Sequence, residues 1–305
     1  MKDNVKYTLM VAGMVISWSI YYAVSKIVVD ATGSARLAGF FLRLSALVFL
    51  TIQLLADGSF KRLFHQGKAV LILITIGVFG FLLDLFANLG YAGGSLSTGT
   101  ALLKTDVLMV NFATVALYHK KLYFSDWLGT GIMLLGVLLV LGVDFGGMTL
   151  RVTDLYFLLS AACVSANAFI IKAAQEKYHE DADMISYYNN AVVLILFAIS
   201  CAFCGDFKKP LDLTPRFWGL VALGGLAQTG IYFFYYRKLK NFEVWLVKLY
   251  LLLMPVLSCF IGVFFLNEEL TTKKLLGILI VLTGAAVILM RGRINHSPAQ
   301  SEAGN

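Results

Sequence analysis

The sequence predicts an all-α integral membrane fold, ten transmembrane helices arranged as two five-helix repeats of inverted topology. Three observations predict it. The chain is 59% hydrophobic and only 14% charged, with a mean hydropathy of +0.79, well above the balance of a soluble globular domain. Apolar runs of about 20 residues, the length needed to cross a hydrocarbon core of about 30 Å, recur between short polar breaks. The two halves of the chain also resemble each other in sequence, as set out below.

In chain order the apolar runs fall at residues 7–29, 35–56, 68–90, 95–118, 124–143, 153–175, 183–204, 216–237, 243–266 and 272–291. The first follows "MKDNVK" and is expected to stay in the chain, since it is too long for a signal-peptide core and no A-x-A-like site follows it. Between the third and fourth runs lies "GYAGGSLSTG", 90–99, without a charge; its small residues suit close helix packing ahead of gating. Cys163, Cys201, Cys204 and Cys259 all fall in runs or at their ends, where thiols behave as small hydrophobes. The Cys201–Cys204 pair has no second ligand pair near it, so neither a metal nor a cofactor is expected. The tail "RGRINHSPAQSEAGN" is polar and rich in small residues and reads as disordered. No loop is long enough to form a soluble domain, which places the function inside or across the membrane.

With the N terminus on the cytoplasmic side, inner loops and tails hold thirteen Lys and Arg against seven outside, so both termini are expected in the cytoplasm and the chain in the inner membrane. The net charge of +7 is dispersed over many short loops. It reads as topology and contact with anionic lipid, and nucleic acid is excluded as a partner. A small-molecule substrate and lipids remain, with the chain as a monomer or weak homodimer.

The repeat is visible at an offset of 148. "YHKKLYFSDWLGTGIMLLGV" lies over "LNEELTTKKLLGILIVLTGA", pairing Leu122 with Leu270, Gly129 with Gly277 and Gly136 with Gly284; Gly77 pairs with Gly225 at the same offset. At 146, "SIYYAVSK" lies over "SANAFIIK", and Lys26 meets Lys172. The boundaries are then 1–147 for the first repeat, 148–292 for the second and 293–305 for the tail. Five spans per half is an odd number, so the second half enters the membrane from the opposite side, with a site at the repeat interface near the midplane.

Residues within these repeats resemble the drug/metabolite transporter superfamily, EamA type. The resemblance rests on Trp18 and Lys26 of "WSIYYAVSK", on Arg43 of "FFLRLSALVF", and on the Leu122, Gly129, Gly136 run. In the second half it rests on Pro255, Glu268 and Leu270 of "LLLMPVLSCFIGVFFLNEELTTKKLLGILIVLTGAAVI". Where the resemblance leads one to expect a proline and a glutamate in the first repeat, the chain has Val107 and Lys120, with Asp106 just before. What the resemblance implies is a ten-helix carrier whose cargo ranges over amino acids, other metabolites and cationic drugs, with export the commoner direction.

Charged side chains inside a membrane are expensive and turn toward a bundle interior or a cavity. Five stand out: Arg43, Asp84, Lys104, Asp106 and Lys248. At about 1.5 Å per residue, Asp84 lies roughly 9 Å from the outer end of its helix, and Lys104 and Arg43 roughly 12 Å from theirs, which puts all three at one level. Asp84 and Asn88 share a face of the third helix; Thr100, Lys104 and Asn111 share one on the fourth, and the two stripes can meet. Either Asp84 pairs structurally with Lys104 or Arg43, or these groups line a pocket for a substrate carboxylate or amine. Asp106, about 200° around a regular helix from Lys104, points elsewhere. About 15 Å deep by the same rise, it is the candidate proton carrier, or else a partner for Arg43 or Lys26. The second half supplies Asn167, Asn189, Gln228, Tyr232 and Lys248, with Asn189 falling where Arg43 does at 146; Trp18 and Tyr22 offer stacking or cation–π contact. Charge on one side and amides and phenols on the other suit a zwitterion.

An enzyme is not expected. Asp84 in "LLDLF" and Asp106 in "KTDVL" lack the glycine-flanked context of a membrane aspartyl protease, and His65, His119, His179 and His296 are scattered. The reading is a secondary transporter that exports a small polar or zwitterionic metabolite, an amino acid or a relative, by alternating access, with a cationic-drug exporter of the same fold, a channel or a scramblase as the alternatives.

Overall fold

The computed structural model describes residues 2–65, 67–118, 124–140, 151–209, 214–241, 244–267, 269 and 271–294. Lys120, Leu122, Glu268, Leu270 and tail residues 295–305, on which parts of the sequence reading rest, lie outside the described residues. All regular structure among the described residues is helical: α1 Lys2–Thr32, α2 Ala35–Ala56, α3 Val70–Tyr91, α4 Leu96–Leu103, α5 Asp106–Tyr118, α6 Phe124–Val140, α7 Val152–Lys177, α8 Ala182–Cys204, α9 Pro215–Ile231, α10 Arg237–Asn241, α11 Val244–Tyr250, α12 Met254–Leu266 and α13 Thr272–Ile294. A π-helical turn, Tyr232–Tyr236, joins α9 to α10.

Six of these are long and apolar enough to cross a membrane: Leu9–Thr32, Ala35–Ala56, Val70–Tyr91, Val152–Lys177, Ala182–Cys204 and Pro215–Tyr236. The chain is a multi-pass membrane protein. Ten uninterrupted spans were expected, and here the structure differs. The fourth run is broken into α4 and α5, and the ninth into α11 and α12. At Thr105 the side-chain hydroxyl donates to the Leu102 carbonyl at 2.8 Å, competing with the backbone ladder. In the ninth run Pro255 is the second residue of α12, where its missing N–H is tolerated, and the chain before it runs through a 3₁₀ turn, Leu251–Leu253. Adding 148 to 96–118 gives 244–266, so the two broken segments occupy equivalent places in the two halves.

The exterior is apolar, unlike that of a soluble domain, while the core combines a large apolar cluster with buried polar groups. Leu44, Val48, Ile52, Leu71, Ile195 and Phe264 are exposed, whereas Arg43, Asp84, Asn167, Asn190, Gln228 and Lys248 are buried. Lipid solvates the former, and the latter must find partners inside the bundle.

Close contacts recur in pairs that exchange under the sequence offset. A Cβ at Gly136 would lie 2.7 Å from the Gly277 carbonyl oxygen, and one at Gly284 would lie 2.8 Å from that of Gly129. Gly77 packs on Val192 while Gly225 packs on Ser45. Lys26 pairs with Asp30 as Lys172 pairs with Glu176, each one helical turn on. The α6–α13 crossing tolerates no side chain at Gly136, because the atoms opposite are backbone. Gly136→Ala is therefore expected to lower stability by about 1–3 kcal/mol, the range for overpacking; an unchanged unfolding temperature in detergent would show that the helices can move apart freely.

The glycine-rich connection between α3 and α4 is filled, as close packing requires. The Phe157 ring lies against Gly90, Gly94 and Gly99, and meets Tyr91 edge-on at 5.1 Å.

Candidate functional site

At the centre of the bundle lies a narrow cavity of about 40 Å³, space for a few waters. Its wall takes Trp18 and Tyr21 from α1, Arg43 from α2, Asp84 from α3, Asn167 from α7, Asn189 from α8 and Gln228 from α9. Tyr232, Tyr235 and Tyr236 of the π turn complete it. The residues at 228, 232, 235 and 236 follow a helical stripe, which is how one element delivers an amide and three phenols to one wall.

The first charged group is a clamp between α2 and α3. Arg43 Nη2 lies 2.5 Å from Asp84 Oδ2 and its Nε donates to the same oxygen at 2.6 Å; Tyr21 adds its hydroxyl at 3.0 Å. From Nη1 the same guanidinium donates to Asn190 Oδ1 at 3.3 Å and to the Tyr232 hydroxyl oxygen. Asn190 Nδ2 in turn donates to the Arg43 carbonyl at 2.9 Å. Arginine's planar fork is what lets one side chain bridge three elements.

The second group sits at the helix breaks. Lys248 Nζ lies 2.8 Å from Asp106 Oδ2, with both side chains almost wholly buried. Lys248 also stands 5.8 Å from the Trp18 ring centroid and 5.4 Å from that of Tyr235, within cation–π range. Lys104 approaches the same Trp18 ring, at 5.7 Å. Ser165 Oγ donates to the Asp106 carbonyl at 3.1 Å, tying α5 to α7. Asp106 Oδ1 is buried without a hydrogen-bond partner among the described residues, as are Asn167 Oδ1, Asn189 Oδ1 and the Tyr235 hydroxyl.

Several sequence expectations are corrected here. Asp106 pairs with neither Arg43 nor Lys26: Lys26 is taken by Asp30, and Lys248 of the other half is the partner. Lys104 and Asp106 do not diverge as on a regular helix, because the chain breaks between α4 and α5 and both reach the surroundings of Lys248 and Trp18. Among the described residues no hydrogen bond or ion pair joins the polar stripes of the third and fourth helices. Asn88 Nδ2 donates instead to the Ala35 carbonyl at 3.2 Å, and Asn111 Nδ2 to Thr130 Oγ1 at 2.9 Å. Asn190, next to the repeat-equivalent Asn189, is the residue of the second half that bonds Arg43.

Of the candidate residues, Trp18, Arg43, Asp84, Asn167, Asn189, Gln228 and Tyr232 line the cavity. Tyr22 does not; its ring packs on Tyr21 and Tyr91. Lys104, Asp106 and Lys248 form the neighbouring cluster behind Trp18, and Asn88 and Asn111 bond elsewhere. Tyr235 was not singled out in the sequence, though its place seven residues after Gln228 could have marked it.

At the two ends of the bundle charged latches join the halves. Near the N-terminal end, Arg62 pairs with Asp181, and Asp183 takes Gln53 Nε2 at 3.2 Å and Arg237 at 3.5 Å. At the opposite end Asp206 takes Arg36 at 2.5 Å and Lys209 at 2.8 Å. Burial alone would push the Asp206 carboxyl up, but hydrogen bonds from Lys209 and Arg36 hold it below the usual carboxylate range. Its latch is thus intact at neutral pH and is lost only as pH falls through that depressed value.

The EamA-like transporter family matches residues 5–142 and again residues 151–290. A curated relative from Sinorhizobium sp., described as an uncharacterized transporter in the cobO 3′ region, is 30% identical over 131 residues, 43% of this chain and 92% of the relative. A crystal structure of a protein 19% identical to this chain covers 94% of it and 99% of the other, with a TM-score of 0.67, a likeness of fold.

Proposed function

The chain belongs to the EamA-like transporter family, and from that premise we propose a secondary active transporter that exports a small polar or zwitterionic metabolite, an amino acid or a relative, across the cytoplasmic membrane by alternating access. The observation that carries this reading is the composition of the cavity wall, which draws on the first three helices of each half. Unpartnered amide oxygens of Asn167 and Asn189 supply acceptors for a ligand's N–H groups, beside aromatic faces and one compensated ion pair. This lining suits a small, donor-bearing molecule better than a bulky lipophilic cation, and the cavity, which holds a few waters as it stands, must widen to admit one.

Inverted repeats are supported by the contacts that exchange under the offset and by the equivalent breaks in the fourth and ninth segments. The latches fit a rocking motion: one must open while the other stays shut, and Arg62 and Lys209 are themselves 147 apart. With the N terminus in the cytoplasm, the Arg62–Asp181 latch faces inward and the Arg36–Asp206 latch outward.

Asp106 is proposed as the proton-coupling group. Protonation would release Lys248, and the groups that face it are Lys248, Lys104, Trp18, Tyr235 and Ser165. The double variant Asp106→Asn with Lys248→Gln keeps the cluster's charge balance, and its transport in vesicles is expected to ignore an imposed pH gradient. Unchanged gradient dependence would remove Asp106 from this role.

Mass spectrometry of growth medium and extracts tests the function directly. A polar metabolite should accumulate outside cells carrying the wild type, and not outside cells carrying Asn189→Leu or an empty vector. Depletion from the medium would reverse the direction, and identical profiles for wild type and empty vector would overturn the cargo class.

A further inference from the structure

We propose that the break in the fourth segment forms an anion subsite, in which the Lys104 ammonium receives a single carboxylate from a ligand that also carries N–H donors. Calling that ligand the cargo rests on the transporter reading; the subsite itself does not.

The charge inventory leads to it. Among the described residues, the buried charged side chains are Arg43, Asp84, Lys104, Asp106, Asp206 and Lys248. Arg43 is compensated by Asp84, and Lys248 by Asp106. Asp206, at the bundle end, is held by Arg36 and Lys209. Lys104 is left over: it is 5% exposed and, among the described residues, makes no hydrogen bond or ion pair, its one directed contact being the Trp18 face. The cluster of Lys104, Lys248 and Asp106 therefore carries one positive charge in excess.

A structural lysine at such depth would have a carboxylate of its own or would extend along its stem to the interface. Lys104 does neither, and its place in the turn between α4 and α5 keeps it beside Trp18. One missing negative charge is what a carboxylate supplies. A doubly charged phosphate would restore the imbalance with opposite sign.

Acceptors in and beside the cluster go unmet as well. Asp106 Oδ1 in the cluster, and Asn167 Oδ1 and Asn189 Oδ1 on the cavity wall, are buried acceptors to which nothing among the described residues donates. Trp18 stands between, lining the cavity while lying within cation–π range of both ammonium groups. A ligand whose carboxylate meets Lys104 and whose N–H groups turn to Asp106 Oδ1, or past Trp18 to the cavity wall, answers demands that are costly while unmet, and its entry requires the space to widen beyond the few waters it now holds.

Thermal unfolding of the full chain in detergent at pH 7 and fixed ionic strength tests the subsite, with probes matched in carbon skeleton: L-leucine, 4-methylpentanoate and isopentylamine, then L-phenylalanine, 3-phenylpropanoate and phenethylamine. Within at least one set the two carboxylates should raise the wild-type midpoint saturably and the amine should not. Lys104→Met should abolish the shift, and Lys104→Arg should retain it. In the absence of probe, Lys104→Met should unfold at the wild-type temperature or above. An amine as effective as its carboxylate, a carboxylate shift that survives in Lys104→Met, no shift from any carboxylate, or a lower ligand-free midpoint for Lys104→Met would each overturn the proposal. Vesicle uptake separates this from the transporter reading. Carboxylates that bind at Lys104 yet never move would sink transport of this class and leave the subsite; equal transport by wild type and Lys104→Met would do the reverse.

Discussion

Lys248→Met will destabilise the protein by about 3–5 kcal/mol, the range for removing one partner of a buried ion pair. The loss comes from what the substitution leaves behind. Asp106 has one oxygen on Lys248 and the other without any partner, so taking the ammonium away strands a full carboxylate among Trp18, Tyr235 and the α5–α7 contact. Methionine refills the volume, which separates the electrostatic effect from a cavity. Asp106→Leu leaves both Lys248 and Lys104 beside Trp18 without a counter-charge and is expected to be more damaging. The double variant, which leaves unpaired only the Lys104 ammonium that is already unpaired in the wild type, should recover most of the loss, since a hydrophobic pair in place of a buried ion pair is often neutral or better. Unfolding of the four proteins in one detergent gives the cycle directly. Additive losses would mean that the pair does not act as a unit and that Lys104 can take over as the partner of Asp106. That last outcome is informative in itself, because Lys104 is the cation closest in kind and shares the Trp18 ring.

The reasons the sequence pointed at this cluster but mispaired it are physical. Segments were legible because a bilayer imposes length and hydropathy on each crossing, and the predicted limits of the second and seventh runs, 35–56 and 183–204, lie within one residue of α2 and α8. The break at Lys104 and Thr105 was not legible, since it involves neither glycine nor proline; the break before Pro255 could have been read from the proline. Treating the fourth run as one regular helix then forced Lys104 and Asp106 apart. Partner choice was the deeper obstacle. Depth along a helix says which groups share a level, and it did place Asp84 with Arg43. It says nothing about which helix stands opposite, and Asp106 with Lys248 are 142 residues apart in sequence. The residues of the cavity's neutral wall could be singled out, because Asn167, Asn189, Gln228 and Tyr232 are polar residues in apolar runs, which turn toward protein or a cavity; that Tyr232 also serves Arg43 and Asn189 also bonds Tyr236 could not.

Arg43→Lys, which keeps the charge, is expected to weaken the protein by about 1–3 kcal/mol, the cost of leaving buried polar groups without their hydrogen bonds. A guanidinium reaches Asp84 with two nitrogens while a third turns to Asn190 and Tyr232. An ammonium is a single point on a flexible stem, and it can satisfy Asp84 or the second-half residues but not both. Asp84→Asn should be worse, because it leaves the arginine with no counter-charge. The distinction matters for function, since Asn190 and Tyr232 belong to the second half of the chain and Arg43 to the first. If this link only held the fold, Arg43→Lys would reduce the amount of folded protein without altering the turnover of what remains. If it registers the two halves against each other, turnover per folded molecule should fall while substrate affinity at the Asn167 and Asn189 wall is retained. Measuring transport per folded protein in vesicles, beside binding in detergent, separates the two. The reciprocal bonds between Arg43 and Asn190, each using the other's backbone or amide, favour the second outcome, because they would have to be remade in any motion that rocks one half against the other.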